Sequence, residues 1–319
     1  MKSAIYKVYG APEVIQIVEN KKPLPKPNEL LIKIKAASAT RADTLMRQGT
    51  PKLGRLFLGV FKPKNTALGT GFSGTIEATG NSVTKFSTNQ DVFGEVLFAN
   101  GTNAEYVCVP QDAVVFLKPK NVLHTEAAPI CDGFLTSYSF LSDIAKLNPG
   151  QHILINGASG SLGAAAVQLA KLMGAKVTGV CSTSKVNLVK ALGADVVIDY
   201  KKEDSYKSKE NYDVIYDTIG KLSYKKCKKV LEPKGLFMSP VLNANIVWRA
   251  IISPKKVKFS ATGLKKQQDL KRLVNELIPL FNQNKLKTVI DKTFNLENIV
   301  EAHKYLESGR KVGNIAIIN

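Results

Sequence analysis

The first third of the chain alternates apolar and polar residues over short runs that end at glycine-containing turns. Apolar side chains at 30, 32, 34 and 36 alternate with Lys33 and Lys35, which is the pattern of a half-buried strand. Similar short runs follow at 74–80, 91–97 and 104–109. Strands this short and this often interrupted predict a small β-barrel or a sandwich.

The middle of the chain alternates strands with helices. A buried-type strand at 152–156 precedes a helix in which Leu162, Leu169 and Met173 recur at helical spacing, and Gly174 ends it. The alternation continues with strands at 176–181, 196–198, 213–216 and 236–239 and helices at 185–192 and 223–231. This order predicts a parallel sheet covered by helices on both faces. A strand at 257–261, two helices and a final strand at 315–318 follow.

The glycine-rich turn after the strand at 152–156 is a candidate phosphate-binding loop. It reads Ala158-Ser159-Gly160-Ser161-Leu162-Gly163, a GxGxxG variant with alanine at the first glycine. Gly160 lets the backbone approach a pyrophosphate, and Gly163 lets strand and helix pack closely, while the helix N-terminus supplies amides and partial positive charge. Between a buried strand and an amphipathic helix, this turn predicts a dinucleotide site. A tight turn without a ligand is the alternative.

The end of the next strand indicates which dinucleotide is bound. An NAD site carries an acidic residue there, but this chain reads Cys181-Ser-Thr-Ser-Lys185, with no carboxylate until Asp195. Ser182 and Lys185 can instead donate to a 2′-phosphate, and Tyr200 can add a hydroxyl or a ring face against adenine. We therefore predict NADPH as the cofactor. The alternatives are a loop or capping role for Ser182 and a solvated helix start for Lys185.

Composition and charge narrow the class of protein. The formal net charge of +19 favours anionic partners. However, the densest basic runs, at 225–229 and 255–258, have little aromatic interleaving. A solvated lysine-rich surface is therefore preferred, and contact with nucleic acid or an anionic membrane surface is the alternative. The sequence contains neither an apolar run of 18 residues nor a signal-peptide core, which predicts a soluble, cytoplasmic protein.

The cysteines and histidines do not have the spacing of a metal site. The four cysteines lie 23, 50 and 46 residues apart, and the three histidines are isolated. Structural zinc sites place thiolates or imidazoles in close sequence pairs. We therefore predict no bound metal and four buried, unpaired cysteines.

Short motifs along nearly the whole chain resemble the medium-chain dehydrogenase/reductase superfamily, in its zinc-independent quinone oxidoreductase-like branch. They lie at 37–43, 68–74, 91–94, 104–107, 133–136, 156–163, 192–195, 217–220 and 301–309. The resemblance implies an α/β protein with a GroES-like β-rich barrel domain and a Rossmann domain whose parallel sheet is doubly wound. The first domain is predicted at 1–122 with 263–319, and the second at 123–262.

Departures from the zinc-dependent relatives are part of this resemblance. Those relatives carry a cysteine early in the segment that matches 37–43, where this chain has neither Cys nor His. Their Gly-His-Glu is Gly69-Thr70-Gly71 here, and their four-cysteine lobe is absent. Alcohol oxidation through a zinc-bound alkoxide is therefore not expected. Many quinone reductases also carry Asn at the position of Thr40.

The resemblance also implies roles for individual residues. Thr40 and Asp43 are expected at the substrate end and Thr136 beside the nicotinamide, and all three are candidate catalytic residues. Two alternatives remain open: a polar turn for Thr40 and Asp43, and a helix-start hydroxyl for Thr136. The expected cofactor-binding residues are Thr136, Ser159, Gly160, Ser161, Leu162, Gly163, Ser182, Lys185, Tyr200, Thr218, Ile219, Pro240, Val241 and Leu242.

The function that follows is NADPH-dependent hydride transfer to a quinone or an α,β-unsaturated ketone or aldehyde without zinc. Hydroxyl or amide donors would stabilise the developing enolate. The sequence shows no general acid with suitable spacing, and solvent can protonate the product. The resemblance also implies a homodimer. The alternatives are an enoyl-thioester reductase and a non-enzymatic NADPH-binding protein that contacts nucleic acid or an anionic membrane surface.

Overall fold

A computed structural model describes residues 1–96, 101–207, 210–241, 244–260, 263 and 265–319. The chain divides into two compact units: unit 1 comprises Met1–Asp132 and Val274–Asn319, and unit 2 comprises Gly133–Leu273. The domain boundaries expected after residues 122 and 262 remain a proposal.

The strands, in chain order, are β1 Lys2–Tyr6, β2 Ile15–Glu19, β3 Glu29–Ala39, β4 Gly71–Thr79, β5 Asp91–Glu95, β6 Tyr106–Pro110, β7 Val114–Leu117, β8 His152–Asn156, β9 Lys176–Cys181, β10 Val196–Asp199, β11 Tyr212–Asp217, β12 Leu231–Ser239, β13 Val257–Phe259, β14 Ile290–Asn295 and β15 Asn314–Ile318.

The α-helices are α1 Arg41–Gln48, α2 Arg55–Leu58, α3 His124–Ala127, α4 Thr136–Tyr138, α5 Ser161–Leu172, α6 Val186–Ala191, α7 Tyr224–Cys227, α8 Ala244–Ile252, α9 Gln267–Asn282 and α10 Ile299–Glu307. Turns of π-helix flank α4 at Cys131–Leu135 and Ser139–Ile144.

The β-rich unit is built on one large sheet. Its strands run in the order β14-β15-β3-β4-β5-β7, β6 also pairs with β3, and β1 and β2 form a separate antiparallel pair. Adjacent strands of this sheet are antiparallel, except that β14 and β15 are parallel to each other. One face of β3 and β4 enters a core that includes Leu30, Ile32 and Ile76, so the alternation in the sequence marks the buried side.

Unit 2 has the predicted parallel sheet, in the order β10-β9-β8-β11-β12-β13. This corresponds to the 3-2-1-4-5-6 order of doubly wound dinucleotide-binding folds, whose ligand lies where the order reverses, here between β8 and β11. The predicted fold class, a GroES-like domain with a Rossmann domain, is confirmed.

One predicted helix is wrong in length. The sequence pattern predicted a helix over 223–231, but α7 ends at Cys227 and β12 begins at Leu231. Leu231 pairs with Tyr212 of β11, and Pro233 follows two residues later. A proline disfavours the helical conformation at the residue before it, here Glu232. The segment therefore forms part of the strand β12 and not the end of a helix.

Candidate functional site

The turn between β8 and α5 presents the start of a helix without a side-chain cap. Gly157 has φ of 76°, and the N–H groups of Gly157 and Ala158 donate to the Val180 carbonyl at 3.1 and 3.0 Å. Gly160 is the N-cap of α5 and, because it has no side chain, it makes no side-chain capping hydrogen bond. The first N–H groups of the helix and its positive dipole end lie at this turn, which is the place on a helix that favours an anion.

The two glycines of this turn are needed for different reasons. A Cβ at Gly163 would lie 2.1 Å from the Gly157 carbonyl oxygen, so close packing of strand and helix requires glycine. A Cβ at Gly160 would come no closer than 3.4 Å to any protein atom, and its φ is −82°. The protein's own packing therefore does not require glycine at 160. The space that a methyl group would fill there matches the close approach of a pyrophosphate.

A cavity of about 480 Å³ lies at the carboxyl ends of the parallel strands. Asn156, Val180 and Ile219 line it from the ends of β8, β9 and β11, and the loop after β10 contributes residues 200–206. In open α/β sheets, ligands bind at this edge, where the strand order reverses. The cavity and the start of α5 therefore both lie at the carboxyl end of β8, within unit 2.

The residues predicted to recognise the 2′-phosphate lie around the end of β9, and Tyr200 among them lines the cavity. Ser182 precedes a 3-10 turn at Thr183–Lys185 without making a side-chain cap, and Lys185 is the half-buried N-cap of α6. The Tyr200 N–H donates to the Cys181 carbonyl at 3.1 Å, so Tyr200 lies next to the end of β9. Its side chain is 58% exposed and lines the cavity.

Asp195 does not take part in this group. Its carboxylate accepts from Lys171 Nζ at 2.8 Å and from the Val177 N–H at 2.7 Å, at the amino end of β9. The Lys171 ammonium and the Val177 N–H lower the pKa of Asp195 against an opposing effect of burial. The carboxylate is therefore held at the edge of the sheet opposite the cavity.

Sequence reasoning missed a carboxylate and three lysines near the cavity. Asp199 ends β10, and its pKa is below the ordinary value because the Thr183 hydroxyl and then the Lys201 N–H stabilise the charged form. Lys201, Lys202 and Lys221 line the cavity itself. The lysine pair at 201–202, which comes one residue after the strand, was a signal available in the sequence.

The other predicted cofactor residues lie at the ends of β11 and β12. Thr218 Oγ1 donates to the Asn156 carbonyl at 2.7 Å, which joins the ends of β8 and β11. The Val241 N–H donates to Ser239 Oγ at 3.2 Å, and Pro240 lies between them. Leu242 lies outside the described residues.

Thr136 is buried inside a helical run and does not begin one. Leu135 before it already has helical φ and ψ, and π-helical turns precede and follow α4. The run packs on α5, since Ser137 Oγ donates to the Leu162 carbonyl at 2.8 Å. The alternative of a helix-start hydroxyl is therefore wrong, and contact with the nicotinamide stays a prediction.

Thr40 and Asp43 of unit 1 form a capping box at the start of α1. The Thr40 N–H and hydroxyl both donate to Asp43 Oδ2 at 2.7 Å, and the Asp43 N–H donates to Thr40 Oγ1 at 3.1 Å. Burial raises the pKa of Asp43 to about 7, despite opposing hydrogen bonds from Thr40. These contacts explain both residues as helix capping, and a role toward substrate stays a prediction.

A second buried carboxyl group lies at the end of β5. Burial raises the pKa of Glu95 to about 8, and the negative charges of Asp132 and Asp43 contribute further. Burial also raises the pKa of the Cys131 thiol, with Glu95 and Asp132 as the next causes. Burial therefore raises the pKa of two carboxyl groups of unit 1, Asp43 and Glu95, to neutral pH or above.

Three predictions from the sequence concern features that were not expected, namely disulfides, a metal site and a membrane span. All four cysteines lie in the described part of the chain and are buried, as predicted, and none of them forms a disulfide. Over the described ranges, no group of three or more His, Cys, Asp or Glu has the arrangement to hold a metal ion. Within the same ranges, each helix is too short or too polar to span a bilayer.

Comparison with known proteins places the chain among oxidoreductases. Residues 26–120 match the family model described as alcohol dehydrogenase GroES-like domain, and residues 192–317 match the one described as zinc-binding dehydrogenase. The chain is 31% identical to 2-methylene-furan-3-one reductase of Solanum lycopersicum, over 99% of this chain and 79% of that protein. It is 29% identical to the NADPH-dependent alkenal/one oxidoreductase, chloroplastic, of Arabidopsis thaliana, with the same coverage. The solved quinone oxidoreductase of Coxiella burnetii superimposes with a TM-score of 0.88 at 27% identity, covering 100% of this chain and 99% of that one.

Proposed function

The chain belongs to the medium-chain dehydrogenase/reductase superfamily, in its quinone oxidoreductase-like branch, and on this premise we propose that it reduces a quinone or an α,β-unsaturated ketone or aldehyde with NADPH, without zinc. The observation that carries the proposal is the uncapped start of α5, with unused space at Gly160, after the strand whose end also borders the cavity of about 480 Å³.

The residues present in unit 2 fit a dinucleotide. The N-terminal amides of α5 would hold the pyrophosphate, with Ser159 and Ser161 flanking Gly160. The cavity would take the adenosine, with Tyr200 and Ile219 against the base. The bound cofactor supplies the hydride, and the chain supplies orientation and electrostatics.

A preference for NADPH over NADH is the finer part of the proposal. Ser182 and Lys185 lie at the end of β9, where an NAD site would carry a carboxylate. Lys201, Lys202 and Lys221 add positive charge around the cavity. A 2′-phosphate gains charge-assisted hydrogen bonds from such groups. The charged form of Asp199 opposes it, but the Thr183 hydroxyl and the Lys201 N–H already stabilise that carboxylate.

The donor set of unit 1 supports zinc-free chemistry. The segment 37–43, in which zinc-dependent members carry a cysteine, contains neither Cys nor His, and Thr70 stands where they carry the histidine of Gly-His-Glu. A hydroxyl is a poor substitute for an imidazole as a zinc ligand. The Thr40 hydroxyl is moreover engaged with Asp43.

We also propose the homodimer and the cytoplasmic location expected from the sequence. Sedimentation gives the mass of the assembly, and cell fractionation gives the location.

Nicotinamide absorbance tests the function. Purified protein, treated to remove metals, is mixed with NADPH or NADH and with matched quinones, 2-alkenals and 2-enoyl thioesters. We expect turnover of quinone or alkenal with NADPH, and at least a tenfold lower kcat/KM with NADH. Lys185→Glu should reduce that preference, since it reverses a charge beside the 2′-phosphate, while the exposed Glu301→Gln should leave it unchanged.

Each other outcome corrects a stated part of the proposal. Equal rates with NADH would contradict the roles of Ser182 and Lys185. Turnover of the 2-enoyl thioester alone would show that the substrate is an enoyl thioester and not a quinone, ketone or aldehyde. An absence of turnover with all three acceptor classes would contradict the proposed activity as a whole.

A further inference from the structure

Residues 55–64 of unit 1 comprise the short helix α2 and the turn after it, and we call this segment the apolar loop. Its large apolar side chains are exposed: Phe57 is 84% exposed, Phe61 is 95% exposed, and Leu56 and Val60 are each more than half exposed. Single exposed apolar side chains are common on protein surfaces, but these four lie within six consecutive residues. Contiguous exposed apolar side chains mark sites that contact another protein or a membrane.

Polar contacts hold the base of the apolar loop. The Tyr9 hydroxyl donates to the Gly59 carbonyl at 2.7 Å, and Gly59 itself has φ of 121°, which favours glycine. Arg55 Nε donates to the Gly49 carbonyl at 3.0 Å, and its guanidinium lies 4.4 Å from the centre of the Tyr9 ring. The backbone of the loop is therefore anchored although its apolar side chains are exposed. A surface that is ordered beforehand loses less conformational entropy when it binds a partner.

The charges along the apolar loop and its flanks are positive. Residues 44–76 contain five Lys or Arg and neither Asp nor Glu. The acidic residues that flank this stretch, Asp43 and Glu77, are both occupied, the first in the capping box of α1 and the second in a salt bridge with Lys22. Three of the five basic residues are exposed, namely Lys52, Lys62 and Lys64. The apolar loop therefore presents positive charge beside exposed apolar side chains.

This combination fits an anionic lipid bilayer better than it fits a second copy of the chain or a nucleic acid. A second copy also carries a net charge of +19, and lysine is depleted in protein–protein interfaces. The bases of a nucleic acid stack on aromatic rings but not on the aliphatic side chains of Leu56 and Val60. A bilayer accepts both parts of the surface, because apolar side chains enter the boundary between headgroups and acyl chains while lysines extend to the lipid phosphates.

We propose that the apolar loop docks the protein on the surface of an anionic bilayer. Phe57 and Phe61 enter the boundary between headgroups and acyl chains, and the three exposed lysines contact lipid phosphates. A free phosphate does not satisfy this surface, because the apolar side chains gain only from leaving water. The inference does not depend on the proposed function, since it concerns where the protein is held and not which reaction it catalyses.

Co-sedimentation with vesicles tests this surface in the whole chain, without cofactor. The vesicles contain phosphatidylglycerol and phosphatidylcholine in equal parts, or phosphatidylcholine alone. We expect binding to the anionic vesicles to be at least about tenfold stronger and to weaken as salt is raised, since salt screens the attraction between lysine and phosphate. Phe57→Ser combined with Phe61→Ser should weaken binding about tenfold or more, through loss of the apolar area that enters the bilayer.

Matched controls are needed because the whole chain is basic. Leu24, between β2 and β3, is 87% exposed, so Leu24→Ser removes an equally exposed apolar side chain outside the loop and should bind as wild type. Lys62→Gln with Lys64→Gln should weaken binding to anionic vesicles several-fold. Lys255→Gln with Lys258→Gln removes the same charge from exposed positions of unit 2 and should have a smaller effect.

Fluorescence shows whether the apolar loop itself enters the bilayer. The sequence contains one tryptophan, Trp248, which lies in unit 2. In a Trp248→Phe protein, Phe61→Trp places the single tryptophan on the loop. Its emission should shift to shorter wavelength with anionic vesicles and be quenched by lipids that carry bromine on their acyl chains. Leu24→Trp in the same background should show neither change, and inorganic phosphate should produce neither in the Phe61→Trp protein.

Each other outcome overturns the docking role. Unchanged vesicle binding in the phenylalanine variant, or Phe61→Trp emission that does not respond to anionic vesicles, contradicts insertion of the loop. An emission shift and a doubled mass in sedimentation that depend on protein concentration without vesicles would assign the loop to contact between copies. Stronger binding of a mixed-sequence RNA, lost in the phenylalanine variant, would assign it to nucleic acid. If circular dichroism shows that the phenylalanine variant does not fold, the Phe61→Trp protein decides the question.

Discussion

Replacement of Glu95 by glutamine should change how the stability of the protein depends on pH. In the unfolded chain this carboxyl group titrates near its ordinary pKa of 4.5, whereas in the folded protein its pKa is raised to about 8, chiefly by burial. Between these values the folded state binds more protons than the unfolded state. The free energy of unfolding must therefore decrease as the pH rises through this window.

The size of the effect follows from the linkage. Where the folded state binds one proton more than the unfolded state, each unit of increase in pH lowers the free energy of unfolding by about 1.4 kcal/mol. Across the whole window this one group contributes on the order of 4–5 kcal/mol, present at the acidic end and lost near pH 8. Glu95→Gln removes the contribution. Asp43 continues to contribute with the same sign, because burial raises its pKa from 3.8 to about 7.

The assay is urea unfolding of wild type, Glu95→Gln and Glu301→Gln at several values between pH 5 and 8. Far-ultraviolet circular dichroism is the appropriate signal, because the single tryptophan, Trp248, is 62% exposed and lies in unit 2. Wild type and the Glu301 control should lose stability in parallel as pH rises, and Glu95→Gln should lose several kcal/mol less. The same slope for all three proteins would refute a protonated Glu95.

Three further substitutions test the site. Gly163→Ala should cost about 1–3 kcal/mol in unfolding free energy, because its Cβ meets the Gly157 carbonyl at 2.1 Å, and unchanged stability would contradict that packing. Gly160→Ala should keep the melting temperature but weaken NADPH binding about tenfold or more by fluorescence titration, and wild-type affinity would mean that no phosphate approaches this position. Thr40→Ala should cost about 0.5–2 kcal/mol through loss of the capping box, measured by urea unfolding, and an unaffected protein would contradict the contacts with Asp43.

The nucleotide-binding unit was predictable because its signals are local. The apolar run at 152–156, the glycines at 160 and 163 and the helical spacing after them lie within about 20 consecutive residues. They appear as β8, an uncapped turn and α5, with the predicted strand bounds reproduced. The helix predicted over 223–231 was too long, because pairing of Leu231 with β11 outweighed the local pattern.

The two buried carboxyl groups of unit 1, Asp43 and Glu95, could only partly be predicted from the sequence. Thr40-x-x-Asp43 has the spacing of a capping box, so the start of α1 was detectable, although the resemblance assigned both residues to the substrate end, with a polar turn as the alternative. The protonation of Glu95 was not detectable. It depends on burial and on Asp43 and Asp132, which are distant in sequence and are brought together only by the fold.

The most direct test of the proposed function is to follow the transferred hydrogen itself. The protein is incubated with NADPH carrying deuterium at both hydrogen positions of C4 of the nicotinamide, with a 2-alkenal as acceptor, and the product is examined by mass spectrometry and NMR. We predict one deuterium at the β-carbon and a saturated aldehyde. Deuterium at the carbonyl carbon, in an unsaturated alcohol, or a product without deuterium would contradict reduction of the conjugated double bond.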